Sequence, residues 1–338
     1  MKTIYLHIGQ TKTATTSLQA FFHQNRTWLL QHDIYYPECP ESHPVKSKHR
    51  FLMESLARAA FPIPKVLTGW AYIKDKITAA PQKRILISEE VFWHLFEQRP
   101  SEKIEAVQWI KKQFRGYEVK VVCYLRRQDK WIESWYNQVV KTDVNYRSRL
   151  TYEEFIELYR NCGQLDYLHA LAPWEKVLGK DNMIVRPFEK KWLLDGDIIT
   201  DFMSILDVTL DDSAVRPKEL QVSLCNSACE LSLIFNRTKG AANFKSKFVT
   251  IIKDFDTGVV DNRKFMKKKL AESLISEFAD SNARLSNKFG MGKEFFDAEL
   301  TGYESGEYTG LTSQELAAFV MHMFLDMQVQ MRSLRKRV

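Results

Sequence analysis

Four short runs of apolar and β-branched residues mark the first two-thirds of the chain. They are Thr3–Ile8 (TIYLHI), Arg84–Ser88 (RILIS), Val119–Leu125 (VKVVCYL) and Asn182–Pro187 (NMIVRP). Their apolarity is nearly continuous instead of alternating, which predicts strands covered on both faces of a sheet. Between them apolar residues recur at helical spacing. Leu18, Phe21, Phe22, Trp28 and Leu29 share one face, and Ile104, Val107, Ile110, Lys111 and Phe114 keep a similar period. Strand and helix in alternation predict an α/β doubly wound parallel sheet. Beyond about residue 215 the strand pattern stops, and helices are expected over Glu219–Arg237, Lys264–Phe289 and Ser313–Arg335. No flexible linker separates the two regions. The expectation is a single domain over 1–338, with an α/β core over 1–210 and a C-terminal helical lobe over 211–338 packed on it. Cys39–Lys48 (CPESHPVKSK) reads as a loop.

A chain of 338 residues, 45% hydrophobic and 27% charged, has ample core material, which excludes collagen, coiled coil and wholesale disorder. No run of apolar residues reaches the length of a membrane span. The first strand follows Met1 with no apolar leader, and the five cysteines are scattered and odd in number. Both features lead to an expected cytoplasmic location with reduced thiols. Lysine and arginine exceed aspartate and glutamate by 49 to 42, a net charge of +7. The surplus indicates an anionic partner, whether nucleic acid, anionic lipid, a phosphorylated cofactor or an acidic polysaccharide.

The segment His7–Gln19 (HIGQTKTATTSLQ) follows a predicted strand and opens a predicted helix. Free N–H groups and the positive end of the helix dipole converge there. Lys12 adds a charge, and Thr13, Thr15, Thr16 and Ser17 add hydroxyls around Ala14, a set suited to a terminal phosphate or sulfate. It is not a Walker A loop, since no second glycine precedes the lysine. The plainer reading is a threonine-rich helix cap with an incidental lysine.

A second motif follows the strand Val119–Leu125. Arg126 stands at its carboxyl end, and Ser134 lies eight residues on, in the next helix. A guanidinium and a hydroxyl so placed can hold one phosphate between strand end and helix. The plainer reading is a surface ion pair with a solvent-facing serine.

Together the two motifs resemble the sulfotransferases that use 3′-phosphoadenosine 5′-phosphosulfate (PAPS). Lys12 with the Thr/Ser run is similar to their 5′-phosphosulfate loop, and Arg126 with Ser134 to their 3′-phosphate element. HIGQTKTATTSLQ and YLRRQDKWIESWYNQVVK are most similar to the bacterial branch that modifies cell-surface glycans. The resemblance covers residues 3 to 207 well and is thinner afterwards, where Asn282–Leu285 (NARL) also matches. It implies a P-loop-like sulfotransferase fold with PAPS across the strand ends and no metal. It departs at Ala14, where many members have glycine; alanine is acceptable there if its φ is negative.

The resemblance implies metal-independent, in-line sulfuryl transfer to a hydroxyl or amine, with Lys12 serving the leaving group. A Ser-x-Glu pattern of that branch falls on Ser88 and Glu90, which makes Glu90 the expected general base and Glu89 the fallback. Burial beside Phe92 and Trp93 is expected to raise the Glu90 pKa; His94 and His7 are further candidates. The plainer reading is a pair of helix-start carboxylates favoured by the dipole. Phe188, after the fourth strand, matches the family's adenine neighbour and is equally consistent with a core residue. No metal-ligand spacing occurs: there is no H-E-x-x-H, no Cys-x-x-Cys and no EF-hand loop.

The expected acceptor is a surface glycan, glycolipid or small molecule, acidic in one version. Its site is expected among His43, His49, Arg50, Tyr167 and Trp174. The basic run Arg263–Lys269 reads first as a solvated helix face, with a polyanion site as the other reading, and Arg332–Arg337 reads as a solvated helix end. Since glycan acceptors are often lipid-linked, peripheral contact with anionic lipid at the inner membrane face is a further reading. The rival functions are an ATP-dependent small-molecule or sugar kinase, which needs the missing Walker A glycine, and a basic nucleic-acid-binding protein. The latter is disfavoured by dispersed charge and the lack of a recognised module. The oligomeric state is not legible.

Overall fold

The computed structural model describes residues 1–59, 63–64, 67–95, 97, 99–218, 224–256, 265–290, 294–297, 299–300, 303, 307–335. Positions 219–223 of one predicted helix, 263–264 of the basic cluster and 336–337 of the C-terminal run lie outside them. The strands are β1 (Thr3–Gly9), β2 (Ile34–Tyr35), β3 (Arg84–Ser88), β4 (Glu118–Leu125) and β5 (Met183–Pro187). The helices are α1 (Thr15–Gln24), α2 (Arg26–Gln31), α3 (Arg50–Ala57), α4 (Thr68–Ala79), α5 (Lys103–Gln113), α6 (Gln128–Thr142) and α7 (Tyr152–Asn161). Then come α8 (Tyr167–Leu178), α9 (Ile198–Ile205), α10 (Asn226–Arg237), α11 (Lys245–Asp256), α12 (Lys268–Glu277), α13 (Ala279–Phe289) and α14 (Ser313–Arg335).

The four predicted strands are present within one residue at each end. The two-residue β2 carries too short a pattern to be read from sequence. Two predicted helices are broken in two. The face from Leu18 to Leu29 is shared by α1 and α2, which meet at Asn25; its backbone N–H and its Nδ2 both donate to the Phe21 carbonyl, at 3.0 and 2.8 Å. Lys264–Phe289 divides at Phe278 into α12 and α13.

The described residues fall into two compact units. One holds Met1–Arg127, Arg160–Leu220 and Phe278–Asp297; the other holds Gln128–Tyr159, Gln221–Glu277 and Ala298–Val338. In the first, all five strands are parallel in the order β2-β3-β1-β4-β5. Tyr5, Leu86, Val122 and Tyr124 pack on Leu18, Phe21 and Phe22 of α1 and Phe202 and Met203 of α9. Strand alternation turns Ile4, Leu6, Ile87 and Val121 to the opposite face, where they are equally buried and where α8 lies against β4 and β5. The sheet is thus covered on both faces, as near-continuous apolarity requires. Because β1 lies between β3 and β4, the connections leave it in opposite directions, and a crevice opens beyond its carboxyl end.

The second unit is helical among its described residues. Leu224, Ala228, Leu231, Phe248, Ile252 and Phe255 form its core, and Phe319 of α14 packs on it. Phe235 and Phe248 stack with centroids 3.9 Å apart. The opposite side of α14 exposes Leu316, Val320, Met321, Phe324, Leu325, Met327, Val329 and Met331. No described helix is long and apolar enough to cross a membrane.

Candidate anion-binding crevice

The crevice is built by the turn from β1 into α1. Gly9 has φ +106°, and a Cβ there would sit 3.0 Å from the Glu90 carbonyl oxygen, so only glycine lets the two backbones approach. Lys12 and Ala14 follow at φ +66° and +57°. The condition set for Ala14, a negative φ, is not met: alanine here occupies the left-handed region that glycine fills without strain. Thr13 is fully buried and its hydroxyl donates to the Gln10 carbonyl at 2.6 Å, so it braces the turn from within. Ala14 supplies no side-chain cap to α1, which leaves the first-turn N–H groups without the usual capping oxygen. Thr15 is buried, Thr16 exposed and Ser17 half-buried.

The end of β4 is tied to this turn. Gln10 N donates to the Tyr124 carbonyl at 2.9 Å, and Arg126 N donates to Gln10 Oε1 at 3.0 Å. The Arg126 guanidinium donates to the Lys12 carbonyl at 3.4 Å. Gln10 Nε2, fully buried, has no hydrogen-bond partner. Arg127 is buried and donates to the Asp297 carbonyl at 2.5 Å, so Arg126 is the arginine that serves the turn. Ser134 is half-buried on α6, in the other unit. Phe188 N donates to the Leu125 carbonyl at 2.7 Å, and its half-buried ring joins the edge of the core under α1.

The end of β3 brings the carboxylates. Gln19 Nε2 of α1 donates to Ser88 Oγ at 3.3 Å and to Glu90 Oε2 at 2.5 Å. This explains the Ser-x-Glu spacing: two residues apart, both side chains reach the α1 face. Lys48 Nζ meets Glu90 Oε1 at 2.5 Å. Glu89 turns the other way, with Arg50 Nη1 at 3.6 Å and Val91 N donating to it at 3.1 Å. Burial acts to raise the Glu90 pKa, but the Lys48 charge and the hydrogen bonds from Lys48 and Gln19 outweigh it and hold Glu90 below its ordinary value. The expected upward shift therefore falls on the neighbour: burial, with the Glu90 charge beside it, raises Glu89 well above the carboxylate range. His7, buried, has its pKa lowered to about 4 by desolvation, against the pull of the Glu90 charge. Its Nδ1 lies 2.8 Å from Ser88 Oγ. His94 Nε2 lies 3.1 Å from Thr11 Oγ1.

Several residues expected to line an acceptor site do other work. Tyr167 is buried and its hydroxyl donates to the Arg126 carbonyl at 2.5 Å; Trp174 is buried against Phe92. His49 is buried, with its backbone N–H donating to the Ser88 carbonyl at 3.0 Å, so it pins the loop before α3 to the end of β3. Aromatic residues near a basic stretch are as useful to a core as to a sugar site, and sequence alone does not separate the two. The reading missed Lys48, Gln19 and Gln10. Gln10 and Gln19 lay inside the first motif, unremarked among its charged and hydroxyl residues, and nothing local marks Lys48 as the partner of a residue 42 positions on.

No family model matches the chain. An uncharacterized protein of Archaeoglobus fulgidus is 28% identical over 186 residues, 53% of this chain and 48% of that protein. The chain thus spans about half the length of the curated relative it matches. A crystal structure of a sulfotransferase from Alicyclobacillus acidocaldarius aligns with 85% of this chain and 95% of that one, at 17% identity and a TM-score of 0.45. Neither likeness assigns an activity, which rests on the residues of the crevice. Among the described residues no cluster of histidine, cysteine, aspartate and glutamate could hold a metal ion.

Proposed function

We propose that the chain is a sulfotransferase that moves a sulfuryl group from PAPS to a hydroxyl or amine of a surface glycan or glycolipid. The observation that carries this reading is the joining of Lys12 and Arg126 at the sheet's reversal point, beside an uncapped helix start. Two cations and a set of unspent donors, one of them the orphaned Gln10 Nε2, fit a ligand with two separate anionic groups. When bound, PAPS supplies the sulfuryl group and leaves as adenosine 3′,5′-bisphosphate. Lys12 meets the charge that develops on the departing oxygen. The Thr15–Ser17 N–H groups and hydroxyls hold the 5′-phosphosulfate, and Arg126 holds the 3′-phosphate. Phe188 offers its ring to the adenine.

Glu90 takes the acceptor's proton as the new S–O or S–N bond forms. It is preferred to Glu89 because it stands on the α1 side and is ionised, whereas Glu89 is turned toward Arg50. Lys48 and Gln19 fix its orientation, as a base must be oriented to act.

A lipid-linked acceptor also accounts for α14. Its exposed apolar side is followed by Arg332 and the basic run to residue 337, a composition that matches an anionic bilayer surface. Release of adenosine 3′,5′-bisphosphate from PAPS by the wild-type chain, stimulated by glycolipid and lost in Lys12→Ala, tests the reaction. No acceptor-stimulated release from PAPS across lipid, sugar and amine acceptors would overturn it.

A further inference from the structure

A cleft of about 410 Å³ lies between the start of α5 and α8. It shares no residue with the crevice, and its volume falls in the range of about 300–1,000 Å³ usual for small-molecule sites. Ile104, Ala170 and Pro173 give it apolar walls.

Two buried polar groups in it have unspent bonding capacity. Lys103 is only 7% exposed, and its ammonium donates to the Ala170 carbonyl at 2.9 Å, one acceptor for three N–H groups. The carboxylate whose charge reaches it, Glu97, is paired with His94 at 2.8 Å, which among the described residues leaves the buried cation without a hydrogen-bonded anion of its own. Gln164 is 2% exposed, and its Oε1 has no hydrogen-bond partner. That oxygen lacks a donor. His169 is held at the cleft by a packing constraint: a Cβ on Gly163 would come within 2.4 Å of the His169 ring, so the glycine makes room for it.

We propose that this cleft is a second binding site, for a small hydroxylated carboxylic acid whose carboxylate meets Lys103 and whose hydroxyl donates to Gln164. A neutral sugar satisfies only the glutamine, and inorganic sulfate only the lysine. The proposal does not depend on the transfer reaction. Burial lowers the Lys103 pKa to about 8, against the charge of Glu97, so an incoming carboxylate would favour the protonated amine. The cleft also touches the anion loop through a short chain. Glu97 lines it and places Oε2 2.8 Å from His94 Nδ1, and His94 in turn reaches Thr11.

The test is calorimetric titration of the full chain with glucuronate, tartrate and lactate, against glucose and sulfate. At least one acid should bind, more tightly than glucose and sulfate do. Lys103→Met should weaken that acid about tenfold or more, as expected for loss of a charged hydrogen bond. Ala172→Trp fills the cleft from an exposed position on α8, so it should fold normally and abolish binding. If Lys103→Met does not fold, Ala172→Trp decides alone. Failure of all three acids to bind at about 10 mM, equal binding of glucose, or full retention in Ala172→Trp would overturn the site.

Discussion

The guanidinium of Arg126 donates to the carbonyl of Lys12 at 3.4 Å, joining the end of β4 to the turn after β1. The bond holds the Arg126 cation against the backbone of the turn that carries Lys12. It also makes their substitutions distinguishable, because each is assigned to a different end of the same ligand.

Lys12→Ala should lower kcat by about 10²-fold or more while leaving cofactor affinity nearly intact, since its charge matters most as the leaving oxygen becomes anionic. Steady-state kinetics with PAPS check this. Unchanged kcat would remove Lys12 from the reaction.

Arg126→Ala should raise KM for PAPS and erase the preference over adenosine 5′-phosphosulfate, a loss of about 2–5 kcal/mol for an unpaired buried charge. Arg127→Ala should instead lower stability, because its guanidinium is spent on the Asp297 carbonyl. A mutant Arg126 enzyme that still discriminates the two donors would make Arg126 structural.

The two glutamates should separate by pH. Glu90 is held below its ordinary pKa, so activity should be flat across neutral pH and fall only on acidification; Glu90→Gln should cost about 10²–10⁴-fold in rate. The stability it contributes is present above the unfolded pKa and is lost as pH falls through the folded one. Glu89 has the opposite sign. Its raised pKa means the folded state binds the proton more tightly, so stability is lost as pH rises from the unfolded value of 4.5 toward the raised one. Glu89→Gln should therefore melt higher than wild type at about pH 9, with the gap closing toward about pH 5. A gap that widens on acidification would reverse the assignment.

How much of this was legible in sequence depends on range. β1, β3, β4 and β5 were readable because buried parallel strands advertise themselves in five to eight consecutive residues. Lys12 and Arg126 were readable because each follows such a strand. The contact between them was not, since it depends on β1 and β4 being neighbours. The charge state of Glu90 was misjudged for the same reason: Lys48 comes from a loop that only the fold brings to β3. The helical region misled by continuity, as α12 and α13 share one apolar period across the break at Phe278.

The turn itself offers a stability test. Ala14→Gly should relieve the left-handed conformation and raise stability by about 1 kcal/mol, a Tm rise of about 2–4 °C. Gly9→Ala should lower stability by about 1–3 kcal/mol, because its φ of +106° and the 3.0 Å approach to the Glu90 carbonyl both exclude a side chain. Thermal melts of the pair check both, and equal shifts of one sign would contradict the turn's geometry.

Membrane contact through α14 should depend on its exposed apolar side. Phe324→Glu with Leu325→Glu should reduce co-sedimentation with phosphatidylglycerol vesicles about tenfold or more, given about 1.5–3 kcal/mol per buried large apolar side chain. Equal binding of wild type to neutral phosphatidylcholine vesicles would contradict the role given to the basic run.

The most direct test of the central claim is calorimetric titration with adenosine 3′,5′-bisphosphate in the absence of magnesium. The account predicts saturable binding that is lost in Arg126→Ala and is tighter than that of ATP with magnesium. Binding of ATP–magnesium alone, with none of the bisphosphate, would contradict it.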